Sequence, residues 1–261
     1  MNQPFRPVIL RFDALASTNT EAARQAMSGA PEGLCVVARE QTRGRGRHDR
    51  VWVSPPDAGL YFSIVLRPAP LALRAWPLIT LMAALAVSDA LLEAHGLRTD
   101  IKWPNDIIAR ERKLCGILAE TVETQTGRAV VLGIGINLND GAFPPELKAV
   151  ATSVAALTGS KPETERLLQS LTRAVQRRYT ALCGAGGEAE TVREWCLRSS
   201  YAAGRRVRAA LDGESIEGWT RGLEPDGALR VETDAGEIRI IRAGDITSLR
   251  ASRRKRTKEA Q

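Results

Sequence analysis

Histidine is almost missing from this chain of 261 residues, which carries only His48 and His95. His95 precedes Gly96 at a predicted helix end, so chemistry built on a histidine base or a histidine metal centre is disfavoured. Cysteine is sparse too. Cys35, Cys115, Cys183 and Cys196 lie far apart with no CxxC pair. That spacing excludes a zinc-ligand set and predicts reduced, mostly buried thiols in a cytoplasmic enzyme. No metal-ligating residue is assigned. The most apolar stretch, residues 78–92, is interrupted by Thr80, Ser88 and Asp89, and on that ground it falls short of a membrane span. The opening MNQPFRPVILRF lacks an apolar core followed by a small-residue cleavage site, which argues against secretion. A Walker A motif is absent. The glycines of GIGIN (133–137) have neither GxGxxG spacing nor a following helix, so any nucleotide must be held by another device.

What is present fits a globular protein. With 44% hydrophobic and 26% charged residues, 261 residues suffice for one or two domains around a substantial core. The formal net charge of +7 is unevenly spread. Residues 250–258 carry six basic side chains, which read as a solvated, disordered tail (251–261). Residues 39–50 carry five arginines interleaved with glycines.

Helix and strand signals alternate through the first two thirds. Thr18-x-x-Glu21 reads as a capping box opening a helix that runs to Met27, with Gly29 as its stop. LCVVARE (34–40) and LYFSIVLR (60–67) read as strands, the second alternating and ended by Pro68. Pro77 opens a long apolar helix that Gly96 closes. TDIKW (99–103) is a strand cut short by Pro104, DIIA and KLCGILAETV form a hairpin, and AVVLGIGINL (129–138) is a buried strand. Residues 162–183 make a helix. Beyond about residue 204, short strands are punctuated by Asp212-Gly213, Pro225-Asp226-Gly227 and Asp234-Ala235-Gly236, which predicts a small β-barrel. The fold class is α+β: a mixed sheet with packed helices over residues 1–200, followed by the barrel over 204–250.

Four segments carry candidate chemistry, and each also has a purely structural reading. In Gly44-Arg45-Gly46-Arg47 the glycines allow backbone amides to approach an anion and the arginines supply fork-shaped donors; an exposed turn reads the same way. Lys102-Trp103-Pro104-Asn105-Asp106 places a lysine at a strand end, where a point charge suits a phosphate or carboxylate, although Pro104 and Asn105 also simply make a turn. In Lys113-Leu114-Cys115-Gly116-Ile117-Leu118 and in GIGIN, a glycine inside a strand marks close approach of a ligand or of another backbone.

Taken in order, Ser17-Thr18-Asn19, Gln41 with the GRGR loop and Trp52, KWPND, KLCGIL and GIGIN resemble the successive signatures of biotin protein ligases. The resemblance is dense over residues 15–139. It implies a class II synthetase-like catalytic domain with a small SH3-like barrel. The implied reaction is ATP-dependent: biotin becomes biotinyl-5′-AMP and is passed to a lysine of a biotin carboxyl carrier domain of acetyl-CoA carboxylase or a related enzyme. It further implies that Lys102, Arg47 and Arg45 are catalytic. Ser17, Thr18, Asn19, Gln41, Arg45, Gly46, Arg47, Lys113 and Gly116 would bind biotin. Arg47, Trp52, Lys102, Asn105 and Asn137 would bind nucleotide, with Mg²⁺ as cofactor. The chain departs from the pattern at Asp49, where many members have glycine; Asp tolerates similar backbone angles. Members that double as repressors carry a winged helix-turn-helix before the Ser-Thr-Asn motif, and the sixteen residues preceding Ser17 are too few for one. No sequence-specific DNA binding and no membrane partner are therefore expected, while a homodimer is allowed. Lipoyl or octanoyl transfer on the same fold, and a nucleic-acid-binding module using the arginine loop and tail, are the rival readings.

Overall fold

The computed structural model describes residues 5–141, 143–211, 214–242 and 244–248. The expected basic tail and the Asp212-Gly213 turn lie outside the described residues. The chain enters through β1 (Val8–Leu15), α1 (Thr18–Met27) and β2 (Leu34–Gln41). β1 and β2 pair in parallel, so α1 is the crossover between them. Next come β3 (Gly59–Leu66), α2 (Leu78–His95), β4 (Asp100–Lys102), β5 (Asp106–Ala109), β6 (Arg112–Thr124) and β7 (Gly127–Asn137). The seven strands order as β1-β2-β3-β7-β6-β5-β4.

The central strand β3 was expected to alternate, yet all eight of its residues are buried. Helices cover it on both faces. Val65 joins Ala22 and Ala26 of α1 in one apolar cluster, whereas Phe62, Ile64 and Leu66 join Leu78, Met82 and Leu85 of α2 in the other. Strand alternation therefore turns Tyr61, Ser63 and Val65 toward α1. Small alanines on α1 let its backbone lie close to the sheet.

The stretch Leu73–His95, which contains α2, passes the length and hydropathy test for a membrane span, with mean hydropathy 1.7, despite its polar interruptions. However, 67% of that window is buried inside the fold, against the sheet and α4 (Thr164–Leu182), which identifies a core helix. Gly96 ends α2 in the left-handed region, as the sequence suggested. α3 (Val154–Thr158) and α5 (Gly187–Arg198) complete the helices, the latter anchored by the fully buried Trp195.

The predicted capping box is not formed. Ser17 is the N-cap of α1 and no side chain caps the helix. The Thr18 hydroxyl donates instead to Gln41, and Glu21 receives Arg24 and Gln25. Tertiary partners outcompete the local cap.

β8 (Ala203–Leu211), β9 (Glu214–Leu223), β10 (Leu229–Thr233), β11 (Ile238–Ile241) and β12 (Asp245–Ser248) form an antiparallel sheet in the order β11-β10-β9-β8-β12. Among the described residues edge strands β11 and β12 do not pair, and the small strand-and-turn domain expected beyond residue 204 is present as an antiparallel sheet. It docks on the catalytic sheet. Trp103 Nε1 donates to Gly227 O at 3.0 Å, and Gly227 packs on Leu78 and Leu81.

Candidate active site

The first turn of α1 lies over β3, β6 and β7, and its side chains enter a hydrogen-bond network whose polarity is fixed at both ends. Thr18 donates to Gln41 Oε1 from its backbone N (2.9 Å) and its hydroxyl (3.1 Å). A backbone N–H can only donate, so the Gln41 amide must face it with oxygen and present Nε2 to Ser54 Oγ at 2.8 Å. Ser54 in turn donates to Trp52 O. At the other end Asn19 Nδ2 donates to Leu118 O (3.3 Å) and Glu120 Oε2 (2.7 Å). Its oxygen therefore faces Ser63, whose hydroxyl donates at 2.6 Å and lies 2.8 Å from Thr18 Oγ1. Ser17, Thr18, Asn19 and Ser63 are all buried. This end of the site offers neutral donors and acceptors.

The other end is charged. Lys113 Nζ pairs with Asp106 Oδ1 at 2.6 Å and stands 5.4 Å from the centre of the Trp52 ring. Arg47 donates to Gly244 O at 3.1 Å and, at 3.4 Å, to Asp245 Oδ1 and Asn105 Oδ1. Arg50 pairs with the same Asp245. The C-terminal sheet thus supplies the carboxylate that holds the arginine loop. Burial holds the Lys102 ammonium below the usual lysine pKa, with Asp106 pulling it back up. Lys102 has no ion-pair partner within contact distance among the described residues. Four cations (Arg45, Arg47, Arg50 and Lys113) share the site with two carboxylates (Asp106 and Asp245), and the excess positive charge suits an anionic ligand.

The loop itself is a tight hairpin in which Arg45 bridges Val51 and Gly46 N donates to Arg50 O. His48 and Asp49 at its tip have φ of 54° and 56°. Asp49, where the sequence departs from the family pattern, thus adopts the backbone angles a glycine would.

The glycines of β6 and β7 are required by close approach. Gly116 and Gly135 are register partners, and the Trp52 indole lies across both: an added Cβ would meet it at 3.0 Å and 2.6 Å. A Cβ on Gly133 would sit 2.1 Å from Asn19 Oδ1. Trp52 Nε1 is buried with no hydrogen-bond partner among the described residues.

These groups surround a cavity of about 220 Å³. Of the residues singled out in the sequence, Ser17, Thr18, Asn19, Gln41, Arg45, Gly46, Arg47, Trp52, Asn105, Lys113, Gly116 and Asn137 line it; Lys102 does not. Lys102 pairs with Asp106 in the register of β4 and β5 and lies outside the lining. Asn105 and Asn137 spend their amides on main-chain carbonyls, Ile117 O and Thr152 O respectively. Sequence reasoning missed Ser54, Ser63, Glu120 and Asp245, and gave Asp106, inside the KWPND segment, no role of its own. A lone hydroxyl in an apolar strand could have flagged Ser63; nothing local marks Asp245. Cys35 and Cys115 are buried, and desolvation pushes the Cys35 thiol up to about 12 and raises that of Cys115 as well, which leaves neither as a ready nucleophile.

Comparison with known proteins identifies the family. Residues 12–137 match the model of the biotin/lipoate A/B protein ligase family, and residues 203–247 match the biotin protein ligase C-terminal domain. A bifunctional ligase/repressor BirA of Bacillus subtilis is 39% identical over 91% of this chain and 73% of its own length. The biotin--[acetyl-CoA-carboxylase] ligase of Mycobacterium tuberculosis is 34% identical over 90% of this chain and 86% of its own. A solved structure of an Aquifex aeolicus biotin protein ligase in complex with biotin and ATP superposes with a TM-score of 0.81 at 28% identity, covering 95% of this chain and all of that one. The chain belongs to the biotin protein ligase family.

Proposed function

We propose that this protein activates biotin with ATP, forming biotinyl-5′-AMP and pyrophosphate, and transfers the biotinyl group to a lysine of a biotin carboxyl carrier domain. One observation carries the reading: in a chain of this family, a single cavity joins a neutral hydrogen-bonding end to a cationic end. The neutral end, Ser17, Thr18, Asn19 and Gln41, suits the ring urea of biotin. The cationic end, Arg45, Arg47, Lys113 and the nearby Lys102, suits its carboxylate and the α-phosphate, with Trp52, Asn105 and Asn137 toward the nucleotide. In the first step the carboxylate oxygen attacks the α-phosphorus and pyrophosphate leaves. In the second, the carrier amine attacks the acyl carbon and AMP leaves. Neither step needs a covalent bond to the protein. The side chains align the reactants, neutralise developing charge and exclude water from the mixed anhydride.

Among the described residues no three His, Cys, Asp or Glu side chains gather to hold a metal ion. Asp106 and Asp245 line the cavity and would face an Mg²⁺ carried on the nucleotide phosphates. The bound ion would supply further neutralisation of phosphate charge. The acetyl-CoA carboxylase carrier or a related one as acceptor and a cytoplasmic location complete the proposal, which is compatible with either a monomer or a homodimer.

The test is pyrophosphate release from MgATP with each candidate acid and no carrier, followed by label transfer to a carrier domain. Biotin is expected to support release. Lipoate and octanoate lack the urea that the buried neutral end would pair with, a mismatch worth about 10⁴–10⁵ in discrimination at sites of this kind. Release with lipoate or octanoate alone would reassign the substrate.

A further inference from the structure

We propose that Glu120 is a positioning residue that couples closure of the arginine loop to the shape of the neutral end of the site. The inference rests on the biotin ligase reading for its substrate, and on geometry alone for the coupling. Glu120 lies on β6 in phase with Gly116 and Leu118, on the strand face turned toward α1 and the loop. The pairing of β5 with β6 ends at Gly116, so Glu120 stands on the stretch of β6 that only β7 supports. It does not line the ligand cavity but faces the vestibule outside the loop. One oxygen, Oε2, accepts from two different elements: Asn19 Nδ2 of α1 at 2.7 Å and Arg45 Nη2 of the loop at 2.9 Å.

Both contacts are consequential. Arg45 has no other side-chain partner among the described residues, so Glu120 is the clasp of the loop's leading arm. The Arg47 and Arg50 contacts with Asp245 clasp the trailing arm. Asn19 keeps its oxygen toward Ser63 because its nitrogen is drawn toward β6, and Glu120 supplies the shorter of the two bonds that do this. An ionised acceptor makes each bond stronger than a neutral one would. When the loop opens, Arg45 leaves and the same oxygen loses half its donors. When the loop closes, Asn19 and Arg45 are fixed together. Ordering the ring end of the ligand and shutting the loop are then one event.

The experiment compares full-length wild type, Glu120→Ala and Glu120→Gln. Glutamine keeps an acceptor oxygen of the same reach; alanine removes it. With biotin and saturating MgATP, Glu120→Ala is expected to raise KM for biotin about tenfold while kcat stays within about threefold, and Glu120→Gln to recover most of the loss, as expected for one charge-assisted bond exchanged for a neutral one. A residue that merely supports the fold would lower the melting temperature and the active fraction without moving KM, and glutamine would not rescue selectively. A wild-type KM in Glu120→Ala, or equal loss in both variants, overturns the proposal. Amide exchange of residues 44–51 in the ligand-free protein supplies a readout independent of substrate: Glu120→Ala should speed it about tenfold relative to the rest of the sheet. Unchanged exchange overturns the clasp whatever the enzyme acts on. Failure of the wild type to release pyrophosphate with biotin overturns the functional reading and leaves the exchange result to decide on Glu120.

Discussion

Lys102 and Arg47 carry the same charge and are held in opposite ways, so their loss should look different. Lys102 stands at the end of a β-strand, half-buried and without an ion-pair partner among the described residues. Lys102→Ala removes a preorganised charge and should lower adenylate formation by about 10²–10³. Because burial depresses its pKa, the charged form is present below that lowered value and is lost as pH rises through it. Pyrophosphate release should therefore fall on going from neutral to alkaline pH. Lys102→Arg, which stays charged, should lack that limb; an identical limb in both proteins would remove Lys102 from the role. Arg47 sits on a loop and is held by Asn105 and by the far sheet. Arg47→Gly should keep some adenylate synthesis but release the intermediate, seen as labelling of an unrelated lysine-rich protein. Equal loss in the two variants with no stray labelling would refute the division. Residues inside motifs were legible because their types and spacing name a chemistry. Glu120 and Asp245 were not, because each reaches the site through strand phase or docking that no local pattern encodes; Ser63 left one faint mark, a lone hydroxyl in an apolar strand.

At the level of elements, the sequence read α2, β2 and the β5–β6 hairpin to within a residue or two, since Pro77, Gly96 and the turn at residues 110–111 punctuate them. It missed β1, α3 and α5, whose apolar positions are few or partly exposed; α5 is held chiefly by Trp195. The capping box failed for a reason specific to function: the Thr18 hydroxyl that would have served the helix serves the site. The packing of α1 on β7 makes a sharp prediction. A methyl group at Gly133 collides with Asn19, and overpacking of this kind costs about 1–3 kcal/mol. Gly133→Ala should therefore unfold at lower temperature and, by displacing the Asn19 amide, raise KM for biotin. Gly141→Ala, where nothing lies within 4 Å, serves as the control. A Gly133→Ala enzyme with unchanged KM would separate Asn19 from binding.

Over the whole molecule, the mixed α+β character was visible in the sequence but the strand order was not, because the long pairing of β3 with β7 joins segments that nothing local links. The small C-terminal sheet was legible because its turns carry glycine and aspartate at regular intervals. The unequal spread of the +7 charge bears on nucleic acid. Any nucleic-acid affinity carried by the arginine cluster of residues 39–50 should fall steeply with salt. Binding titrated against salt concentration checks this, and affinity that does not change with salt would contradict it.

The contact of Arg47 with Gly244 and Asp245 ties the two sheets to one guanidinium. A phosphate that takes that guanidinium must first compete with the C-terminal sheet for it. Occupancy of the cavity and docking of the sheet are therefore linked equilibria, and the coupling is reciprocal: whatever free energy the ligand spends in loosening the sheet, a loosened sheet returns as tighter binding.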